Sequence, residues 1–183
     1  GKHAAMLATC RLRGWDIATY RDLGHPLQQL MVATIEDLCG ETVAAVAVDG
    51  CGAPVAAVSM AGLARAFGRL ASAPESTHEG RVATAMRSHP EFVGGTRRDV
   101  TALMRGTRGA IAKDGAEAVY AVGLADGRGV ALKIADGGQR ARPVVLAAAL
   151  RRLGVSSSAY PVLEHAPVMG HGEPVGSIVA HGL

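Results

Sequence analysis

The feature that most constrains this chain is a change of pattern near Ala110. Upstream, apolar residues recur at helical spacing. Downstream, three short β-prone runs, residues 110–113, 116–124 and 129–134, are separated by Asp114-Gly115 and Asp126-Gly127. Asp-Gly is a strong hairpin signal, because both residues tolerate a positive φ. The pattern predicts an antiparallel sheet packed with helices, in a layered α+β arrangement of the α/β class.

The remaining segments read as helices with short punctuation. Residues 3–13 place Ala4, Leu7, Ala8 and Leu12 on one stripe, closed by Gly14. A loop through Trp15, Tyr20 and Gly24 leads to Pro26, a good first helical residue. Residues 26–39 then carry Leu27, Leu30, Met31, Ile35 and Leu38 on one side before Gly40. Residues 42–48 alternate and are β-branched, which predicts a strand, with Asp49-Gly50-Cys51-Gly52 as the turn after it. Ser59 is a candidate cap for a helix over 60–71, and Ser76 or Thr77 for one ending near Ser88. A short helix is expected over 99–106, another over 143–153 with Gly154 behind it, and a last strand near 177–179.

A chain of 183 residues suits one domain or a large piece of one. Aromatics are only 3% of it, so its core must be built from small residues with few large anchors. The net charge of +3 is spread along the chain, and no basic patch is interleaved with aromatics, which argues against nucleic acid as a partner. No apolar run reaches the roughly 18 residues of a membrane span. The richest stretch, 43–61, is cut by its glycine turn and by Pro54. The chain opens on Gly1-Lys2-His3 without a methionine, so it is expected to begin inside a longer protein. Cys10, Cys39 and Cys51 are too few and too odd for a disulfide framework, which suits a reducing, cytoplasmic setting. A buried free thiol is the plain expectation for each.

Only three of the 19 basic residues are lysine: Lys2, Lys113 and Lys133. Lysine can lose its proton when desolvated, whereas arginine effectively cannot. Lys133 alternates with Leu132 and Ile134 and reads as a solvent-facing strand residue. Lys113 stands at a strand end as Lys-Asp-Gly, a place from which an amine can reach over a sheet edge, as the strand-borne Lys-Thr-Gly does in serine β-lactamases. The plain reading is an exposed turn lysine. Cys51 lies in a tight turn, where a cysteine can bind zinc, but no Cys-x-x-Cys or His-x-x-x-His accompanies it. None of the seven histidines sits in a recognisable cysteine-protease context. Gly94-Gly95-Thr96-Arg97-Arg98 lacks a P-loop pattern and reads as a turn carrying an arginine toward a cleft.

Five segments in order resemble the rhizobial-type L-asparaginase family: Gly1-Lys2-His3-Ala4-Ala5-Met6-Leu7, His25-Pro26-Leu27-Gln28, Asp49-Gly50-Cys51-Gly52-Ala53-Pro54, His89-Pro90-Glu91-Phe92-Val93 and Lys113-Asp114-Gly115-Ala116-Glu117. The resemblance runs to about Leu153 and fades in the tail. It implies a fold related to serine β-lactamases and glutaminases, and hydrolysis of L-asparagine to L-aspartate and ammonia. It also implies two serines and a lysine in a Ser-x-x-Lys arrangement from the N-terminal part of the same protein. A further lysine matches Lys113. A zinc ion is implied on a lysine and two cysteines, of which Lys2 and Cys51 match two, the other cysteine lying upstream of Gly1. Asp49 and Arg98 are then expected to line the substrate site or support its residues. A homodimer is implied as well.

No serine here has a lysine three residues on, so the chain reads as the C-terminal part of a single larger catalytic domain spanning residues 1–183. Two other readings stand beside the amide hydrolase. One is a non-catalytic scaffold or pseudoenzyme half. The other is a different serine-lysine amidase or a β-lactam-type hydrolase.

Overall fold

The computed structural model describes residues 1–182. The chain divides into two compact units, the first ending at Gly62 and the second beginning at Leu63. Both are mixtures of helices and small antiparallel sheets.

The first unit holds α1 (Lys2–Arg13), α2 (Pro26–Cys39) and a hairpin of β1 (Ala45–Val48) and β2 (Pro54–Ala57). Its sequence signals act as read. Gly14 and Gly40 close the two helices in the left-handed conformation, which costs a glycine no Cβ clash. His25 caps α2: its Nδ1 accepts the Leu27 amide at 3.0 Å, which leaves Nε2–H to donate to the Asp16 carbonyl at 2.9 Å. The expected strand over 42–48 is shorter, and β2 is an addition. The α1 stripe is also corrected. Met6 and Cys10 are buried with Leu27 and Ala53, whereas Leu12 is 88% exposed. The thiol and thioether, not the alanine-leucine face, fill the small core of this unit.

The second unit begins within α3 (Met60–Ser72). It continues with α4 (His78–Ser88), α5 (Pro90–Gly94), α6 (Asp99–Gly106), β3 (Ile111–Asp114), β4 (Val119–Gly123), β5 (Gly129–Lys133), α7 (Arg142–Arg152), α8 (Tyr160–Leu163), β6 (Pro167–Gly170) and β7 (Glu173–Ser177). Ser59 caps α3 through the Gly62 amide at 2.9 Å, and Thr77 caps α4 through the Gly80 amide at 3.0 Å. The antiparallel sheet runs β3-β4-β5. Val100, Leu103, Tyr120, Val122, Leu146, Leu150 and Leu163 form its main core, with α6, α7 and α8 bringing the helical side chains. Tyr120 is one of the few large anchors.

The two Asp-Gly pairs differ. Asp126-Gly127 makes the expected turn: Gly127 has φ +88° and its amide reaches the Leu124 carbonyl at 3.0 Å. Asp114-Gly115 does not. Asp114 is the last residue of β3, opposite Tyr120, and the chain reverses through a single 3-10 turn over Ala116–Ala118. Glu117 and Ala118 take the left-handed conformation there, at φ +57° and +55°. The aspartate is held in the strand by cations rather than spent on a turn. The tail also departs from expectation, since β6 and β7 form a hairpin ending at Ser177, with His171 and Gly172 at its left-handed corner.

Candidate functional site

Two side-chain clusters hold the residues singled out from the sequence, one in each unit. In the first unit, Lys2 opens α1 and Asp49 and Cys51 stand in the β1–β2 turn. Lys2 Nζ donates to Asp49 Oδ2 at 2.9 Å, and the Cys51 thiol donates to the same oxygen at 3.2 Å. The Gly50 backbone N–H also donates to Asp49 Oδ1 at 2.9 Å. The Lys2 contact, then the Cys51 contact, bring the Asp49 carboxyl down to about 2. The same pairing with Asp49, then with Cys51, raises the Lys2 amine. Cys51 is exposed, which corrects the expectation of a buried thiol; Cys10 and Cys39 are buried.

This trio bears on the implied zinc. No three His, Cys, Asp or Glu side chains converge to hold a metal among the described residues. Lys2 and Cys51 instead converge on one oxygen of Asp49; a thiolate and a carboxylate are ordinary zinc ligands, and Lys2 becomes one as the neutral amine. Lys2 would have to give up the proton that Asp49 stabilises, so metal binding would release protons. The donor set therefore fits.

The second cluster surrounds the end of β3. Lys113 Nζ donates to the Asp114 carbonyl at 2.6 Å and to Asp114 Oδ1 at 2.8 Å, with its side chain 49% exposed. Arg98, at the mouth of α6, donates through Nη2 to Asp114 Oδ2 at 2.7 Å. Arg142, the first residue of α7, donates to the same oxygen at 3.1 Å and to both oxygens of Asp99 at 3.3 and 3.0 Å. Burial alone would push the Asp114 carboxyl up, but the Lys113 contact and the neighbouring Arg142 outweigh it and hold it below the usual range. Beneath them, the Arg142 guanidinium lies 4.8 Å over the Tyr120 ring. Burial, then Asp99, pushes the Tyr120 phenol up.

The structure therefore brings Lys2, Asp49 and Cys51 together, and brings Arg98 and Lys113 onto one carboxylate. Lys133 is exposed and donates to the Ile134 carbonyl, as a strand-surface lysine should. Asp114, Asp99 and Arg142 carry no signal in the sequence that marks them for this site. Asp114 is the neighbour of Lys113 but reads as a turn residue. Arg142 gives no signal in its spacing, because it sits just before Pro143 at a helix start.

No helix among the described residues is long and apolar enough to cross a membrane. No curated protein matches the chain. The family model described as L-asparaginase II matches residues 1–180, so the match extends through the tail where the resemblance was expected to fade. With that match covering nearly all of its length, the chain belongs to the L-asparaginase II family.

Proposed function

We propose that the intact protein hydrolyses L-asparagine to L-aspartate and ammonia, and that this chain contributes Lys113 to the reaction. The observation that carries the reading is Lys113 itself: a rare lysine, half exposed at a strand end, with its amine fixed by two oxygens of Asp114. Membership of an asparaginase family sets the reaction class. A carboxamide resists water at neutral pH, so a serine from the N-terminal part of the protein attacks its carbon. The serine proton must leave, and the departing nitrogen must gain one to become ammonia. A lysine amine near the nucleophile serves this exchange or holds the serine-lysine network in its working protonation state. Arg98, half exposed beside Asp114, is assigned the substrate carboxylate in this reading.

A β-lactamase-like fold of the complete domain, a homodimer and a cytoplasmic location accompany this reading. So does zinc, which Lys2 and Cys51 would hold with Asp49 beside them and a further cysteine outside the chain. Zinc held there would supply a fixed positive charge. Metal analysis of the intact protein should find about one zinc per chain, lowered by Cys51→Ser. Wild-type protein without zinc would remove the metal from the proposal.

Ammonia release from asparagine and glutamine, measured beside β-lactam opening, tests the function. Asparagine turnover should dominate. Preferred β-lactam opening would move the protein to another serine-lysine hydrolase, and no turnover of any substrate would favour a scaffold.

A further inference from the structure

Arg142 is in an expensive place. Its side chain is 3% exposed, and it begins α7, where the helix dipole disfavours a positive charge. Its Nε is buried without a hydrogen-bond partner. A buried ion pair is weak evidence for stability, because desolvation offsets much of the attraction, and an apolar side chain of similar volume often serves the fold as well. Something other than packing has to account for a guanidinium at this position.

What the guanidinium does is visible in its geometry. Its two terminal nitrogens reach two different carboxylates, Asp99 at the start of α6 and Asp114 at the end of β3. It thereby ties the starts of two helices to the end of one strand. The planar fork and the Tyr120 ring under it leave the group little freedom. Asp114 Oδ2 is taken by Arg142 and Arg98, so only Oδ1 faces Lys113, which it accepts at 2.8 Å. The result is a row of alternating charge, Asp99–Arg142–Asp114–Lys113, with Arg142 buried inside it and half-exposed Lys113 at its end.

We propose that Arg142 is a positioning residue for Lys113: it clamps Asp114 against Asp99, and the clamped carboxylate fixes where the Lys113 amine stands. The proposal rests on the catalytic reading of Lys113 given above. Nothing in it requires Arg142 to touch substrate. Without Arg142, Asp114 loses its tie to Asp99 and keeps only the half-exposed Arg98, so the carboxylate that anchors the Lys113 amine is held less firmly.

The test uses the intact protein with L-asparagine, comparing Lys113→Ala, Asp114→Asn and Arg142→Lys. Asparagine at 114 keeps the size and accepts from arginine but gives up the charge that pairs with Lys113. Lysine at 142 keeps a charge but cannot fork to two carboxylates. For each variant that melts cooperatively, kcat should fall on the order of 10²-fold while KM stays within about twofold, because displacement of a catalytic group by an ångström costs that much and leaves substrate binding alone. Asp114→Asn with Arg142→Lys should cost little more than either change alone, since both break one chain of contacts. A fall in kcat below about tenfold in Asp114→Asn or in Arg142→Lys, with Lys113→Ala inactive, overturns the clamp and leaves the function standing. A change confined to KM also overturns it. Should Arg142→Lys fail to fold, Arg142→Gln takes its place, since it keeps hydrogen-bonding capacity but cannot fork to two carboxylates. Full activity in Lys113→Ala overturns the clamp together with the catalytic role of Lys113.

Discussion

Lys113→Ala in the intact protein is expected to lower kcat/KM for asparagine by about 10²–10⁴-fold, the range a positioned proton-transfer group supplies. The fold should tolerate the change. Lys113 is half exposed, and its hydrogen bonds both go to its neighbour Asp114. Asp114 keeps Arg98 and Arg142 when the lysine is gone. Loss of activity with an unchanged melt therefore reads as chemistry rather than unfolding. Lys113→Arg separates the two roles the residue can have. Arginine preserves the charge but cannot give up its proton. If Lys113 transfers a proton, arginine is as damaging as alanine. If it acts only as a fixed charge, much of the activity returns. Ammonia release measures both, and full turnover in the alanine variant would remove Lys113 from the site.

The same residues show what could be read without coordinates. Helix ends were legible because their signals are local: Gly14, Gly40, Thr77 and His25-Pro26 each act within one turn of the chain. The sheet was legible for a similar reason, since three β-prone runs joined by short loops have few other ways to pair. What failed was anything decided by distant partners. Asp114-Gly115 looks like a hairpin turn in isolation, but Arg98, just before α6, and Arg142 of α7 hold Asp114 at the strand end, and the reversal falls on Glu117 and Ala118. The exposed face of α1 could not be told from its buried face, because in a short helix rich in alanine the few heavy side chains decide, and here they are Met6 and Cys10. At the candidate site, the rarity of lysine pointed to Lys113 and Lys2. The carboxylates that hold them, Asp114 and Asp49, became visible only as contacts. Arg142 was invisible, because nothing in a sequence of 16 arginines marks the one that is buried.

The largest expected effect on stability comes from the sheet's contact with α3. Gly123, the last residue of β4, and Gly129, the first of β5, lie directly under the backbone of that helix. A Cβ on Gly123 would run into the Phe67 carbonyl, and one on Gly129 into the Ala64 carbonyl. The helix answers in kind, since a Cβ on Gly68 would meet the Gly127 carbonyl. A flexible side chain could swing aside, but a helical carbonyl can move only with its helix. Gly123→Ala should therefore destabilise by about 3 kcal/mol, at the upper end for overpacking, and lower Tm by roughly 6–12 °C. Gly129→Ala should act in the same direction, and the double variant should cost less than the sum, because the first methyl already lifts α3 from the second. Gly154→Ala gives the contrast. Its added Cβ meets nothing within 4 Å, but its φ of +72° is left-handed, so its cost is the backbone strain alone, about 1–2 kcal/mol. Thermal melts of the variants rank the two causes directly. Equal losses at 123 and 154 would mean that α3 does not press on the sheet, and a sheet that α3 does not cover would no longer need a glycine on each side of the β4–β5 turn.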